Sequence, residues 1–330
     1  MVAAVATYVL LVIRTGRLRS AAAVVIAAVT FSGCSSGAIP QASTSPPGTA
    51  ACARPLPHSA GQSSQSISFE SVTRTYQLYV PTSYDGRRRV PVVFEFHSYG
   101  SNASQQILYG NFEPLADRHD FLVVAPDGQG SPRQWGLVGG LVPGGQDDVV
   151  FTLALLSHLE HQLCVDSGRV YATGMSDGGV MTSVLACRAP RQFAAFATVA
   201  GNLYGIGCTT SSPPVPMLMF HGTADPTIPY AGGRVTCCGN PTFPSVASVT
   251  ASWASHDHCN PSPTTSSPSA DVKLTSYSAC APGSTVELYT LVGDGHTWPG
   301  SSFPLPVLGA TSTELNASAT IWSFFAAHRI

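Results

Sequence analysis

The sequence predicts an α/β domain, a mostly parallel central sheet covered by helices on both faces. Short, continuously apolar runs of strand length alternate with segments of helical length, the pattern of strands buried on both sides. Polar, glycine-rich motifs recur at the C-terminal ends of those runs, where open α/β sheets place their sites. No internal repeat and no second domain are visible, and a hydrophobic content of 44% is ample for one large core.

The chain begins with an apolar block, Val2 to Ile13, followed by Arg14, Arg17 and Arg19 and a second apolar run from Ala21 to Phe31 that ends in Ser32-Gly33-Cys34. Neither block reaches the ~18 apolar residues of a membrane span, and arginines separate them. Basic, apolar and small residues in that order predict an export signal over residues 1–33. The junction also resembles a bacterial lipobox, with Phe31 a less usual residue in it. That resemblance implies a lipidated Cys34 and a membrane anchor; the alternative is plain cleavage and secretion. Residues 34–65, rich in Ser, Pro, Ala, Gly and Thr, read as a flexible linker that Cys52 ties down in part.

The folded domain is expected over 66–330. Alternating Phe69, Val72, Tyr76, Leu78 and Val80 predict a strand pair with one buried face. Pro91 to Phe96 predicts a buried strand leading into His97-Ser98-Tyr99-Gly100, then a helix from Gln105 to Arg118. Phe121 to Ala125 is the next strand, ending at Asp127. Asp147 to Leu163 predicts a long helix whose buried stripe is Val150, Leu153, Ala154 and Leu156. Val170 to Thr173 is a strand, Val180 to Cys187 a helix, and Phe193 to Val199 and Pro216 to Phe220 two more strands. A helix over Ser245–His256, a low-complexity stretch from Asn260 to Ala270, a last strand over Val286–Val292 and a helix over Thr313–Ala327 complete the chain.

Composition narrows the function. With a net charge of −2 and Lys273 the only lysine, no basic surface for nucleic acid is suggested. The run Arg87-Arg88-Arg89 lies between strand-like segments and reads as an exposed loop. Nine cysteines without a C-x-x-C pair fit an oxidising compartment better than a zinc ribbon. No H-E-x-x-H pattern is present, and neither metal nor cofactor is expected.

The chemistry centres on Gly174-Met175-Ser176-Asp177-Gly178-Gly179, between an apolar strand and a helix. A G-x-S-x-G sequence in that context is a nucleophile elbow. A serine needs an imidazole to take its proton and a carboxylate to orient the imidazole. Asp225 and His296 follow in the order Ser, Asp, His, each just past a predicted strand. Asp127 precedes the serine, Asp177 adjoins it, and Asp294 is too near His296 in sequence. His221 reads as structural, His97 as shaping the oxyanion loop, and His158, His161, His256 and His258 as helix-surface residues. Backbone N–H groups of Asp177 and of the Ser98/Tyr99 loop are the expected oxyanion donors, each contributing about 2.7–4 kcal/mol to the transition state. Tyr99, Trp135 and Trp298 are candidates for an apolar acyl or aryl pocket.

From about Thr75 to Ala327 the sequence resembles the esterase family that includes extracellular polyhydroxybutyrate depolymerases, feruloyl esterases and some acetylxylan esterases, and especially its bacterial lipoprotein members. The matching stretches are Tyr79-Val80-Pro81, Pro126-Asp127-Gly128, Asp147-Asp148-Val149, Arg169 to Gly179, Phe193-Ala194-Ala195, His221 to Tyr230 and Gly295-His296-Thr297-Trp298-Pro299. The resemblance implies an α/β-hydrolase fold with Ser176 as nucleophile, Asp225 as acid and His296 as base. Relatives usually have His-Gly at His97-Ser98, and many have Asn at Asp177. The resemblance also implies a disulfide between Cys259 and Cys280. Cys187 with Cys208 is a second choice, from their proximity in sequence across one strand. The pairing of Cys52, Cys164, Cys237 and Cys238 stays open, with separate partners expected for the adjacent Cys237 and Cys238.

The expectation is an exported, monomeric serine esterase acting on polysaccharide- or polyester-derived esters. Because the chain ends at its last helix with no further binding module, soluble or short esters are favoured. An acyltransferase acting on cell-envelope sugars is the alternative; a non-catalytic surface binding protein is disfavoured by the intact Ser, Asp and His set.

Overall fold

A computed structural model describes residues 51–136, 146–235, 237–238, 240–303 and 305–330. The expected signal and Cys34 lie outside the described residues. Among the described residues, twelve strands and six α-helices follow in order: β1 (Gly61–Phe69), β2 (Val72–Val80), β3 (Val90–Phe96), α1 (Ala103–Gly110), α2 (Glu113–His119), β4 (Leu122–Pro126), α3 (Asp148–Gln162), β5 (Val165–Met175), α4 (Asp177–Arg188), β6 (Ala195–Val199), β7 (Met217–Gly222), β8 (Gly233–Arg234), β9 (Thr242–Phe243), α5 (Val246–His256), β10 (Thr264–Ser269), β11 (Val272–Tyr277), β12 (Val286–Leu291) and α6 (Ala317–Ala326). Ten strands form one sheet in the order β1-β2-β4-β3-β5-β6-β7-β12-β11-β10. The pairings from β4 through β12 are parallel, and those of the outer strands at both edges are antiparallel.

The continuous apolar runs became the centre of the sheet because only there are both faces covered. Every residue of β3, β4, β6 and β7 is buried. On one face Phe94, Phe96 and Met219 pack against Phe151 and Leu155 of α3, Met181 and Leu185 of α4 and Trp253 of α5. On the other, Val93, Val123 and Phe220 pack against Ile107 of α1, Ala116 of α2 and Ile321 and Phe325 of α6. This is the predicted layering. Among the described residues no helix is long and apolar enough to cross a membrane.

Four local expectations are corrected. The helix expected over 105–118 is two helices, because Asn111 takes a left-handed φ of 48° and Pro114 opens the second. The buried stripe of α3 runs through Phe151, Leu155, Leu156 and Leu159, and Val150 is 46% exposed. Asp148, buried at the first turn, sets that phase. The low-complexity stretch after Asn260 contains β10, which pairs with β11 as an antiparallel hairpin. β1 begins at Gly61, inside the expected linker, and its exposure alternates residue by residue, as suits an edge strand packed on one side.

The disulfides pair Cys52 with Cys164, Cys187 with Cys208, Cys237 with Cys238 and Cys259 with Cys280. Two pairs are as expected. The adjacent cysteines, for which separate partners were expected, pair with each other, since Cys52 and Cys164 meet across 112 residues of sequence. That bond anchors the strand-poor segment before β1 to the loop between α3 and β5.

One buried ion pair organises the loop after β4. Arg74 of β2 donates to Asp148 Oδ1 at 2.6 Å and to the Asp127 carbonyl at 2.9 Å, and its guanidinium stacks 3.7 Å over the Phe151 ring. Asp148 also accepts from Gln129 Nε2 at 3.2 Å and from the Gly136 N–H at 2.6 Å. Arg74→Met would strand the Asp148 carboxylate in the core. Urea denaturation at neutral pH is expected to show a loss of about 3–5 kcal/mol; a loss below ~1 kcal/mol would show that the pair carries no such weight.

Candidate active site

β5 delivers Ser176 to the tip of the sheet with φ 57° and ψ −119°, a conformation that costs a non-glycine residue on the order of 1–3 kcal/mol. Neighbouring backbone holds it there. The Ser176 N–H donates to the Val199 carbonyl of β6 at 2.9 Å. A Cβ on Gly178 would overlap the Phe96 carbonyl of β3, and one on Gly201 would overlap the carbonyl of Ser176 itself. Glycine at those positions therefore lets β3, α4 and the loop after β6 close on the serine from three sides. Asp177 opens α4, so its N–H is one of the first-turn donors that the helix leaves unused.

Asp225 follows β7 and His296 follows β12, which are parallel neighbours. Their loops cross closely enough that a Cβ on Gly222 would overlap the Asp294 carbonyl. His296 Nδ1–H donates to Asp225 Oδ2 at 2.8 Å. The other carboxylate oxygen accepts the N–H groups of Thr227 at 2.7 Å and Ile228 at 2.8 Å. Ser176, Asp225 and His296 are 9%, 6% and 4% exposed. Among the described residues Ser176 Oγ makes no hydrogen bond to His296; one cavity is lined both by Met175, next to the serine, and by Leu308, whose carbonyl accepts the His296 N–H at 2.7 Å.

His221, expected to be structural, also faces the carboxylate. Its Nε2–H lies 2.9 Å from the Ile228 carbonyl and 3.2 Å from Asp225 Oδ2, and its Nδ1 accepts from Asn202 Nδ2 at 3.3 Å. Asn202 is fixed in turn by Thr198 Oγ1, which donates to its Oδ1 at 2.6 Å. Burial alone would raise the Asp225 carboxyl, but hydrogen bonds and charge from His221 and His296 hold it well below its ordinary value.

On the other side of Ser176, the loop after β3 carries Ser98 and Tyr99. Ser98 Oγ–H donates to the Met175 carbonyl at 3.3 Å. His97 is buried and kept from charging by desolvation. Its Nε2 accepts the Gly128 N–H at 2.8 Å, so Nδ1 carries the proton and donates to the Ser98 carbonyl at 2.8 Å.

Beside these residues lies a cavity of 350 Å³. Tyr99 lines it, together with Leu108 and Tyr109 of α1 and Phe303, Leu305 and Leu308 of the segment after His296. The other two aromatic expectations are corrected. Trp135 and Trp298 are each 1% exposed. The Trp135 indole stands edge-on to Phe96 at 5.1 Å and donates to the His97 carbonyl at 2.8 Å. The Trp298 indole donates to Ser318 Oγ at 2.9 Å beside Phe112. Both support the loops next to them from within the core. Sequence reading missed Leu108, Tyr109, Phe303, Leu305 and Leu308; the apolar residues Phe303, Leu305 and Val307, alternating with prolines in a short segment after His296, were the available signal.

A family model described as Esterase PHB depolymerase matches residues 74–251. The chain belongs to that family. Feruloyl esterase C of Emericella nidulans is 31% identical over 165 residues, which are 48% of this chain and 58% of that protein, so the match spans little more than half of the relative's length. The protein NocK of Nocardia uniformis subsp. tsuyamanensis is 28% identical over 278 residues, 76% of this chain and 79% of its own. In fold, the chain is similar to an acetyl xylan esterase from Aspergillus awamori, with a TM-score of 0.58 at 17% identity over 80% of this chain and 99% of that one. The α/β-hydrolase fold predicted from the resemblance is therefore the fold of this family member.

The electrostatics of Asp225 make a prediction. A carboxyl held below its ordinary 3.8 contributes stability that is complete above that value and is lost as pH falls through the lowered pKa. Between about pH 5 and pH 3, the urea midpoint of the wild type should fall more steeply than that of Asp225→Asn. Parallel pH profiles would show that Asp225 is not the group concerned.

Proposed function

We propose that the protein is an exported serine carboxylesterase that hydrolyses short acyl, hydroxycinnamoyl or hydroxyalkanoate esters through an acyl-enzyme on Ser176. The observation that carries this reading is the buried His296–Asp225 hydrogen bond of 2.8 Å at the sheet end that also holds Ser176 on its strained turn. Family membership and the feruloyl esterase among its relatives support the same class.

In this mechanism His296 Nε2 takes the Ser176 hydroxyl proton as Oγ attacks the ester carbonyl. The carbonyl electron pair moves onto oxygen, held by the N–H of Asp177 and those of the Ser98/Tyr99 loop. His296 gives its proton to the departing alkoxide, leaving the acyl group on Ser176. Water then repeats the sequence, with His296 as base, and releases the acid. Asp225 keeps Nδ1 protonated and stabilises the imidazolium. His221, on the same carboxylate oxygen, steadies that acceptor.

The cavity beside Tyr99 is proposed to take the acyl or aryl group. Its apolar lining, from Leu108, Phe303, Leu305 and Leu308, suits a planar or aliphatic group better than a charged one. The four disulfides fit an oxidising compartment, in keeping with export and with the proposed lipid on Cys34.

Ser176→Ala should lower kcat on p-nitrophenyl butyrate by about 10³-fold or more while the protein melts normally, and should abolish labelling by a fluorophosphonate probe. Turnover near that of the wild type would end the serine mechanism. Leu308→Trp, which narrows the cavity, should raise KM for methyl ferulate about tenfold and leave p-nitrophenyl acetate nearly unchanged; equal effects on both would move the acyl site elsewhere. Product analysis with a sugar alcohol present distinguishes transfer from hydrolysis.

A further inference from the structure

We propose that Asp177 is a positioning residue that locks the oxyanion loop onto the nucleophile turn through Trp135. The inference rests on the esterase reading above and adds to it a residue for which that mechanism uses only the backbone.

The link is a chain of contacts. Asp177 Oδ2 accepts the Trp135 N–H at 3.1 Å. The next amide, that of Gly136, goes to Asp148 Oδ2 at 2.6 Å. Two carboxyls, one at the start of α4 and one at the start of α3, thus hold consecutive amides of a single segment. That fixes the buried Trp135 ring, whose indole N–H reaches the His97 carbonyl at 2.8 Å.

The consequence follows from the geometry of a trans peptide, in which C=O and N–H point in opposite directions. Holding the His97 carbonyl aims the Ser98 N–H. Holding the Ser98 carbonyl, by His97 Nδ1–H at 2.8 Å, aims the Tyr99 N–H. Both candidate donors on this loop are therefore oriented from behind, one by Trp135 and one by His97. Asp177 connects the first of these anchors to Ser176, its neighbour in the chain. A donor network set before the substrate arrives costs no reorganisation during the reaction.

The charges around Asp177 suit a carboxyl that titrates while the latch stays closed. Burial raises its carboxyl to about 7, opposed by the Trp135 N–H and reinforced by Asp148. Asp148 is paired with Arg74, and the nearby His97 is kept neutral by burial. Both forms of the carboxyl retain an oxygen that can accept from Trp135, whereas asparagine accepts without titrating.

The experiment compares wild type, Asp177→Asn, Asp177→Ala and Trp135→Phe on p-nitrophenyl acetate between pH 5 and 9, with thermal melts as a folding control. Asp177→Ala should lower kcat about 10–100-fold with KM within about twofold, the signature of misplaced donors. Asp177→Asn should keep kcat within about threefold of wild type and lose one ionisation from the pH–rate profile. Trp135→Phe, which keeps the ring and deletes the indole donor, should resemble Asp177→Ala. A folded Asp177→Ala with kcat within twofold of wild type, or an Asp177→Asn as impaired as the alanine variant, would overturn the inference. Failure of the esterase reading itself looks different: the wild type would be inactive, or Ser176→Ala would remain active.

Discussion

The fold depends on one crowded place, the backbone around Ser176. A serine at φ 57° persists only if the surroundings fix it more strongly than the strain drives it away. Here β6 supplies the carbonyl that takes its N–H, β3 presses its Phe96 carbonyl against Gly178, and Gly201 lies against the carbonyl of the serine. Each contact requires neighbouring strands to end at one level. The parallel centre of the sheet provides that level, and the loops carrying Asp225 and His296 leave from it on the adjoining strands.

Charge is used sparingly in this interior, and each buried carboxyl has a different solution to its desolvation. Asp225 is surrounded by two histidines and two backbone N–H groups, which favour its ionised form. Asp148 relies on Arg74, and together they hold the segment that contains Trp135. Glu95, buried on β3, accepts from Gln106 Nε2 at 2.8 Å, and burial drives its carboxyl well above the ordinary range. Asp177 stands between these cases. The carboxyl that adjoins Ser176 is raised by burial to about 7.

How much of this was legible depended on whether the signal was local. The central strands were readable because burial on both faces leaves a continuous apolar run, and the strand–Gly-x-Ser-x-Gly–helix order located the turn. Asp225 and His296 could be picked out because each follows such a strand. The first half of β1 and the whole of β10 escaped because one face of each meets solvent, which lets Ser, Thr and Gln fill a strand as easily as a linker. The stripe of α3 was misphased because a buried acid, Asp148, occupies a core position that an apolar count skips. Trp135 and Trp298 illustrate a different limit. A tryptophan near a motif reads equally as pocket wall or as support, and only the partner of its N–H, a loop carbonyl for one and Ser318 for the other, decides the matter.

The two positions where the resemblance implies a different residue, Ser98 and Asp177, are related through the structure. The resemblance implies glycine at the first and asparagine at the second. Here the Ser98 hydroxyl donates to the Met175 carbonyl, and the Asp177 carboxyl accepts from the Trp135 amide. Both bonds run between the turn that holds Ser176 and the loops that face it, and they do so from opposite partners: one is donated by the loop after β3 to the turn, the other by the Trp135 segment to the first residue of α4. A glycine at 98 would remove the first bond and leave the loop freer in φ and ψ, so its donors would depend more heavily on the Trp135 anchor. The two departures therefore differ in effect. Ser98 adds a polar tie between the loop after β3 and the turn, exchanging backbone freedom beside the serine for a fixed arrangement of N–H groups. At 177 an asparagine would keep the Trp135 bond, so the aspartate adds a group that titrates rather than a further tie.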